Sequence, residues 1–370
     1  MTRGEIWWVD FGVPLGSEVG FKRPVIILQN DILNESKLKT VVVLPLTSNT
    51  IYADLPNNIL LEKKITGLSQ DSVTQPHLIV HIDKRRLSEK VKKLDKQLNP
   101  PGPQVGSIPA LFSISEDKQI YFSQGNLQYQ ASTNTWRFAE NQYDVIGDDN
   151  ANISESYEGW IDMFGWGTSG WNSGANAYQP YSTSTSYSDY YPGGDYNNNL
   201  TGSYANADWG VYNKISNGGN ATGMWRTLTY DEWYYVINTR ANASSKKGVA
   251  SVNGVNGLIL LPDEWTLPEG IVFTSGVADD YGSEYYATVN SYTASEWAKM
   301  EANGAVFLPA AGGRVGTDVY NVGSNGGYWS SSAYGNYGGA GYLYFSSGNA
   351  GTSGNDRNYG PSVRLVQEAE

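Results

Sequence analysis

The order of apolar and polar positions divides the chain into two regions. In the first, residues 5–11, 25–28, 40–46 and 58–61 are apolar or β-branched runs separated by Gly-, Asn- and Lys-rich breaks. Such runs predict short strands in a small, strongly curved sheet. After Ile82 and Asp83 the period changes: Leu87, Val91, Leu94 and Leu98 recur at spacings of 4, 3 and 4. This predicts one amphipathic helix, its outer face carrying Lys90, Lys92, Lys93 and Lys96. Residues 99–109, NPPGPQVGSIP, hold four prolines and two glycines and predict a stiff connector over 100–110.

Beyond it, 119–130 and 135–139 predict opening strands, followed to about residue 223 by a Ser/Tyr/Asn/Gly-rich stretch. Trp160, Trp166, Trp171 and Trp209 can bury large areas, so packed irregular loops are expected there. Two helices announce themselves by capping boxes, Thr229 with Glu232 and Thr293 with Glu296. Leu228 with Trp233, and Tyr292 with Trp297, are positioned as hydrophobic staples, and Asn303-Gly304 supplies a left-handed stop to the second helix. Residues 257–261, 306–308, 342–345 and 362–366 are strand-like. Two helices among many short strands predict an α+β domain.

Composition sharpens the division. Residues 1–99 hold 14 Lys/Arg against 11 Asp/Glu, and residues 100–370 hold 11 against 26, so only the first region has a charge balance that favours a polyanion. Of the 42 glycines 37 lie after residue 100, as do 43 of the 48 aromatic residues. The chain has no cysteine and only two histidines, His77 and His81, so neither disulfides, thiolate metal sites nor a His-rich cage is expected, and no cofactor or metal is assigned. Paired acids at Asp279-Asp280 and Asp148-Asp149 are read as solvated turn residues rather than calcium ligands. No apolar run approaches the ~20 residues that span a bilayer, and no secretion signal is recognised, so a cytoplasmic protein is expected.

The segments RGEIWWVDFG, GSEVGFKRPVIILQND, VVVLPLTSN, DSV and HIDKRRL, in that order, resemble the MazF/PemK family of toxins over residues 1–99. The most specific element is Lys22-Arg23-Pro24-Val25 leading into Gln29-Asn30-Asp31, with Thr47 ending the next strand. The resemblance implies a small β-barrel with a closing helix, a homodimer, an antitoxin-peptide partner, and metal-independent cleavage of single-stranded RNA. It implies Arg23 and Thr47 as catalytic residues, with Ser17, Glu18 and Lys22 bordering the RNA. An arginine suits the charge that develops on phosphorus oxygens when the RNA's own 2′-hydroxyl attacks. Two departures stand out: the closing helix runs into Pro100-Pro101, and TQPHLIVH places Val80 or His81 where family members carry an arginine.

From 306 to 366, FLPAAGGR, GGYWSSS, YLYF and GPSVRLV resemble the variable proteins of diversity-generating retroelements, whose C-type-lectin-like domains share a core with formylglycine-generating enzymes. YFSQGNLQYQ, GWIDMFGWGTSG and WRTLTYDEWYYVINTR extend that resemblance over 111–368. Residues 334–342 and 349–359 consist almost wholly of Asn and of residues reached from AA-codons by adenine mutation, while Trp329, Leu343, Phe345, Val363, Leu365 and Val366 interrupt them as apolar anchors. The expectation is a ligand-binding domain at 111–370 with a variable region near 328–361. Tyr334, Asn336, Tyr337, Tyr342, Tyr344, Asn349, Asn355, Asn358 and Tyr359 would form one exposed face for a protein or glycan ligand.

The chain is thus expected to be multidomain, a mainly-β toxin-like barrel at 1–99 followed by an α+β C-type-lectin-like domain. One reading has a binding module tethered to an RNA-binding or RNA-cleaving barrel. The other has a catalytically idle barrel serving as a dimerisation or fusion scaffold for a pure ligand-binding protein.

Overall fold

The structure is a computed structural model that describes all residues except 15, 17–18, 56–57, 95–104, 336–337 and 370, and the side chains of Ile32 and Asp54. The chain forms two compact units, Met1–Pro101 and Gly102–Ala369.

The first unit is built on β1 (Glu5–Asp10), β2 (Lys22–Ile27), α1 (Asp31–Glu35), β3 (Thr40–Thr47), β4 (Leu60–Leu61), α2 (Lys63–Thr66), β5 (Ser72–Thr74), β6 (Val80–Asp83) and β7 (Leu87–Lys93). Its strands run in the order β4-β5-β3-β2-β1-β7, with β6 also paired to β3, and every pairing is antiparallel. The apolar runs bury both faces. Val25 and Ile27 of β2 join Val9, Val41, Val43 and Ile82 in one cluster, whereas Ile26 between them joins Ile6, Leu46, Leu61 and Leu94 in another. Side chains thus pack on both sides of the sheet, which forms a curled β half-barrel.

The helix expected from Leu87, Val91 and Leu94 is a strand, and Lys96 and Leu98 lie outside the described residues. β7 pairs with β1 through Val9↔Leu87, Trp8↔Glu89, Trp7↔Lys90, Ile6↔Lys92 and Glu5↔Lys93, and the register slips at two places. Each slip adds one residue to β7, turning an even strand period into a 4-then-3 spacing that mimics a helical stripe. Val91 and Leu94 do face the core, as the stripe implied, but from an edge strand.

In the second unit the connector is shorter than expected. Residues 106–110 belong to the domain: Ile108 is buried in its core, its N–H donates to Phe122 O at 2.8 Å, and Gln124 N–H donates to Gly106 O at 2.7 Å. Burial of the apolar Ile108 draws the end of the expected stiff connector into the domain. Both capping boxes form, starting helices at Tyr230–Tyr234 and Ala294–Ala302, and Gly304 (φ 90°) ends the latter. The first and last long segments close on each other, since Leu365–Glu368 pairs antiparallel with Gln119–Phe122. A second sheet joins Ser291–Tyr292, Lys247–Val252, Val255–Leu260 and Val306–Pro309. A three-stranded meander, Gly326–Tyr334, Gly339–Ser346 and Asn349–Asn355, carries most of the segment read as variable.

The irregular stretch 139–223 is anchored by indoles. Trp166 Nε1 donates to Ser330 O and Trp329 Nε1 to Phe164 O, both at 2.7 Å, cross-stitching loop to meander with both rings fully buried. Asn150 of the paired-acid loop is buried too. Its amide donates to Gly147 O and Asp162 Oδ1 while its carbonyl accepts from Asp162 N and Met163 N, and Asp148 and Asp149 are exposed in the first turn of a short 3-10 helix, Gly147–Asn152.

Candidate functional site

In the first unit, Arg23 and Thr47 sit where the core's alternation runs out. The β2–β3 register pairs Val25 with Pro45 and Ile27 with Val43, and its continuation brings Arg23 opposite Thr47. The rows of buried valine and isoleucine on the two strands therefore end in one arginine and one threonine, both half-buried at the mouth of a cleft of about 450 Å³. Trp8, Phe21, Lys22, Ser48, Gln70 and Ser72 also line it.

Arg23 Nε donates to Gly20 O at 2.9 Å, which fixes the plane of the guanidinium and leaves its two terminal nitrogens without a protein acceptor among the described residues. Thr47 Oγ1 accepts from Asn49 N–H at 3.2 Å, so its own proton is directed elsewhere. Lys22 is exposed, with its ammonium 5.7 Å from the Trp8 ring. Among the described residues the lining contains two cations, two aromatic rings, several hydroxyls and no carboxylate. A phosphate flanked by planar bases meets its complement there. Ser17 and Glu18 lie outside the described residues. Trp8, Phe21 and Gln70 were missed by the sequence reading; Trp8 alternates with the buried Val9, a signal that it faces the other side of the sheet, the side of Ile6.

Val80 and His81, which stand where relatives were expected to carry an arginine, do not reach this cleft. They line a separate groove with His77, Ile79, Asp83 and Arg86, Val80 packed against the core and His81 exposed.

Residues 2–99 match the model for PemK-like, MazF-like toxins of type II toxin-antitoxin systems. They are 39% identical over 98 residues to endoribonuclease MazF2 of Mycobacterium bovis and to endoribonuclease MazF6 of Mycobacterium tuberculosis, a span of 26% of this chain and 86% of each relative. This chain's first unit belongs to the PemK/MazF toxin family. Endoribonuclease EndoA of Bacillus subtilis is 36% identical over 98 residues, covering 84% of its length. A solved mycobacterial endoribonuclease in complex with its cognate antitoxin aligns over 26% of this chain and 77% of its own, at 19% identity and a TM-score of 0.20. Residues 283–366 match a domain of unknown function (DUF8237).

In the second unit the expected ligand face is only partly open. Tyr334 is exposed, and Tyr342, Tyr344, Asn349, Asn355 and Tyr359 are half-buried along the meander and the loop after it. Asn358 departs from the expectation: it is buried, and its amide donates to Thr185 O at 2.8 Å, so it ties two loops together. Asn336 and Tyr337 lie outside the described residues. Several glycines of the meander exist to admit rings. A Cβ on Gly354 would collide with the Tyr334 ring, and one on Gly341 would press the ring of Tyr230, itself 5.0 Å from Tyr334. Tyr344 lies over Gly351, and its hydroxyl accepts from Asn349 Nδ2 at 2.9 Å. Tyr230, Tyr320, Asn321 and Asn325 also border this region and were not anticipated; they lie outside the low-complexity segments that drew the reading.

Proposed function

We propose that the first unit cleaves single-stranded RNA without a metal, and that the second is a C-type-lectin-like binding module that addresses it to a ligand. The observation that carries the first half is the cleft that gathers Arg23, Thr47 and Lys22 with two aromatic rings. The similar proteins MazF2, MazF6 and EndoA are endoribonucleases, and the matching family is one of type II toxin-antitoxin toxins, which supports the same activity and an antitoxin partner here.

In this mechanism the Arg23 fork, oriented through Gly20, donates to the two non-bridging oxygens of the scissile phosphate. Its hydrogen bonds strengthen as the 2′-oxygen adds to phosphorus and negative charge grows, which is where fixed donors accelerate a reaction most. The Thr47 hydroxyl, with Asn49 N–H occupying its acceptor side, donates to the same phosphate. The 2′-hydroxyl gives its proton to water as its oxygen bonds to phosphorus, the P–O5′ bond breaks, and the leaving 5′-oxygen takes a proton from water, so the products are a 2′,3′-cyclic phosphate and a 5′-hydroxyl. Lys22 and Trp8 hold the neighbouring nucleotide by charge and stacking. Purified full-length protein should cut single-stranded RNA in EDTA and yield cyclic-phosphate ends; RNA left intact at micromolar protein would instead support the idle-barrel scaffold.

For the second unit, the pairing of its last strand with the early strand Gln119–Phe122, the two capped helices, the tryptophan-stitched loops and the Tyr/Asn/Gly meander support the lectin-like reading. Tyr334, Tyr342, Tyr344, Asn349, Asn355 and Tyr359 present the rigid ring and amide chemistry of paratopes. Truncating one anchoring tyrosine such as Tyr334 should weaken ligand binding by ~2 kcal/mol, measured by titration.

A further inference from the structure

We infer that the second unit holds a subsite for one neutral sugar ring, in a cleft of about 190 Å³ between the meander and the Gly312–Asn325 loop. The inference rests on the ligand-binding reading above and names its ligand class.

The cleft has two halves. Tyr342, Tyr344, Asn355 and Tyr359 come from the segments read as variable, and Tyr320, Asn321 and Asn325 from the short hairpin strand Asp318–Tyr320 and the turn that follows it. The Tyr320 and Tyr359 rings stand edge to face with centroids 5.8 Å apart, and those of Tyr342 and Tyr344 lie 5.8 Å apart, giving apolar walls. Among the described residues, the hydroxyls of Tyr320, Tyr342 and Tyr359 and the side-chain amides of Asn321 and Asn325 have no protein hydrogen-bond partner. None of the lining residues is a carboxylate or a cation. The nearby Arg314 guanidinium turns away, donating to the carbonyls of Ser182, Gly316 and Met163.

Each feature removes a class of ligand. A charged group would enter without a counter-charge, and burying it unpaired is unfavourable. An apolar side chain from a protein would strip water from five polar groups and return no hydrogen bond to any of them. A pyranose carries C–H faces for the rings and a belt of hydroxyls, each both donor and acceptor, for the amides and phenols. Burial already raises the pKa of the Tyr320 hydroxyl, so it acts as a neutral donor at any physiological pH.

The test applies the full chain to an array of neutral and anionic glycans, with competition by free methyl glycosides and a parallel screen against displayed proteins. The variants are Tyr359→Phe, which removes one hydroxyl, and Asn325→Ala, at an exposed side chain. Thermal unfolding checks that both fold. The expected result is retention of glycans ending in a neutral sugar, competed by the free glycoside and weakened at least tenfold by each variant. Retention of anionic glycans alone, or retention that both variants leave unchanged, overturns the inference. Binding of a displayed protein through Tyr334 with no glycan retained overturns it too but leaves the ligand-binding reading standing. Binding of neither class removes both.

Discussion

The two units treat positive charge in opposite ways. The PemK/MazF-like unit keeps its cations at the surface: the Arg85 side chain is 88% exposed, Lys22 is open at the cleft, and Lys90 reaches Glu5 at 2.6 Å from a half-exposed position. In the second unit Arg314, Arg357 and Arg364 are at most 3% exposed, and their partners are carbonyls and amides rather than acids. Arg357 lies between the Trp166 ring at 4.2 Å and the Tyr191 ring at 4.8 Å, and Arg364 donates to Gln142 Oε1 at 2.6 Å. Burial lowers both guanidinium pKa values to about 10, still high enough to stay charged. Arginine in the first unit is available to a polyanion; in the second it is scaffolding that organises loop carbonyls where regular structure is scarce. Net charge therefore says little about function until burial assigns each charge a side.

Ways to break that comparison follow in order of size. Trp329→Ala should destabilise the second unit by about 3–5 kcal/mol in denaturant unfolding, because a fully buried indole and its bond to Phe164 O are lost together. Arg364→Ala should cost about 3 kcal/mol by the same measurement, since the acceptors on Gln142, Asn126 and Phe307 lose their donor inside the core; a cost below 1 would show that the buried arginines are dispensable.

Acidity separates the units further. Burial, only partly offset by hydrogen bonds from Asn150 and Ile146 N–H, raises Asp162 from 3.8 to about 6. The folded state binds its proton more tightly, so this contribution is complete below about pH 4 and is lost as pH rises through 6. It amounts to ~3 kcal/mol, and Asp162→Asn should flatten it. Glu5 runs the other way. Burial would raise its pKa, but hydrogen bonds from Lys90 and Trp7 prevail and hold it at about 2. That stabilisation is present above pH 4.5 and disappears as pH falls toward 2. Between pH 4.5 and 6 the second unit should change and the first should not. The smallest effect expected is Arg23→Ala on stability, within ~0.5 kcal/mol, because a half-buried side chain with one backbone acceptor contributes little to folding.

Much of this was legible in the residues. Alternation revealed β1 to β3, and the capping boxes located both helices because that device is local: a hydroxyl and a carboxylate three residues apart suffice. β7 was misread because two register slips hide a strand's period, and slips depend on the neighbouring strand, β1, which lies 80 residues earlier. The buried arginines and Asn358 were illegible for a similar reason. Their acceptors, such as Thr185 O for Asn358, come from loops without periodic pattern, far off in sequence. Arg23 and Thr47 were readable as a pair only through resemblance; the β2–β3 register supplies the physical reason they meet.

The most direct test of the account is the rate at which full-length protein cuts a single-stranded RNA in EDTA, compared among wild type, Arg23→Ala and Arg23→Lys. If Arg23 stabilises charge in the transition state, alanine should lower the rate at least ~100-fold, and lysine, a point charge without the fork, should restore only part of it. An Arg23→Ala protein that folds normally and cuts RNA at the wild-type rate would contradict the assignment of this cleft as the reaction centre.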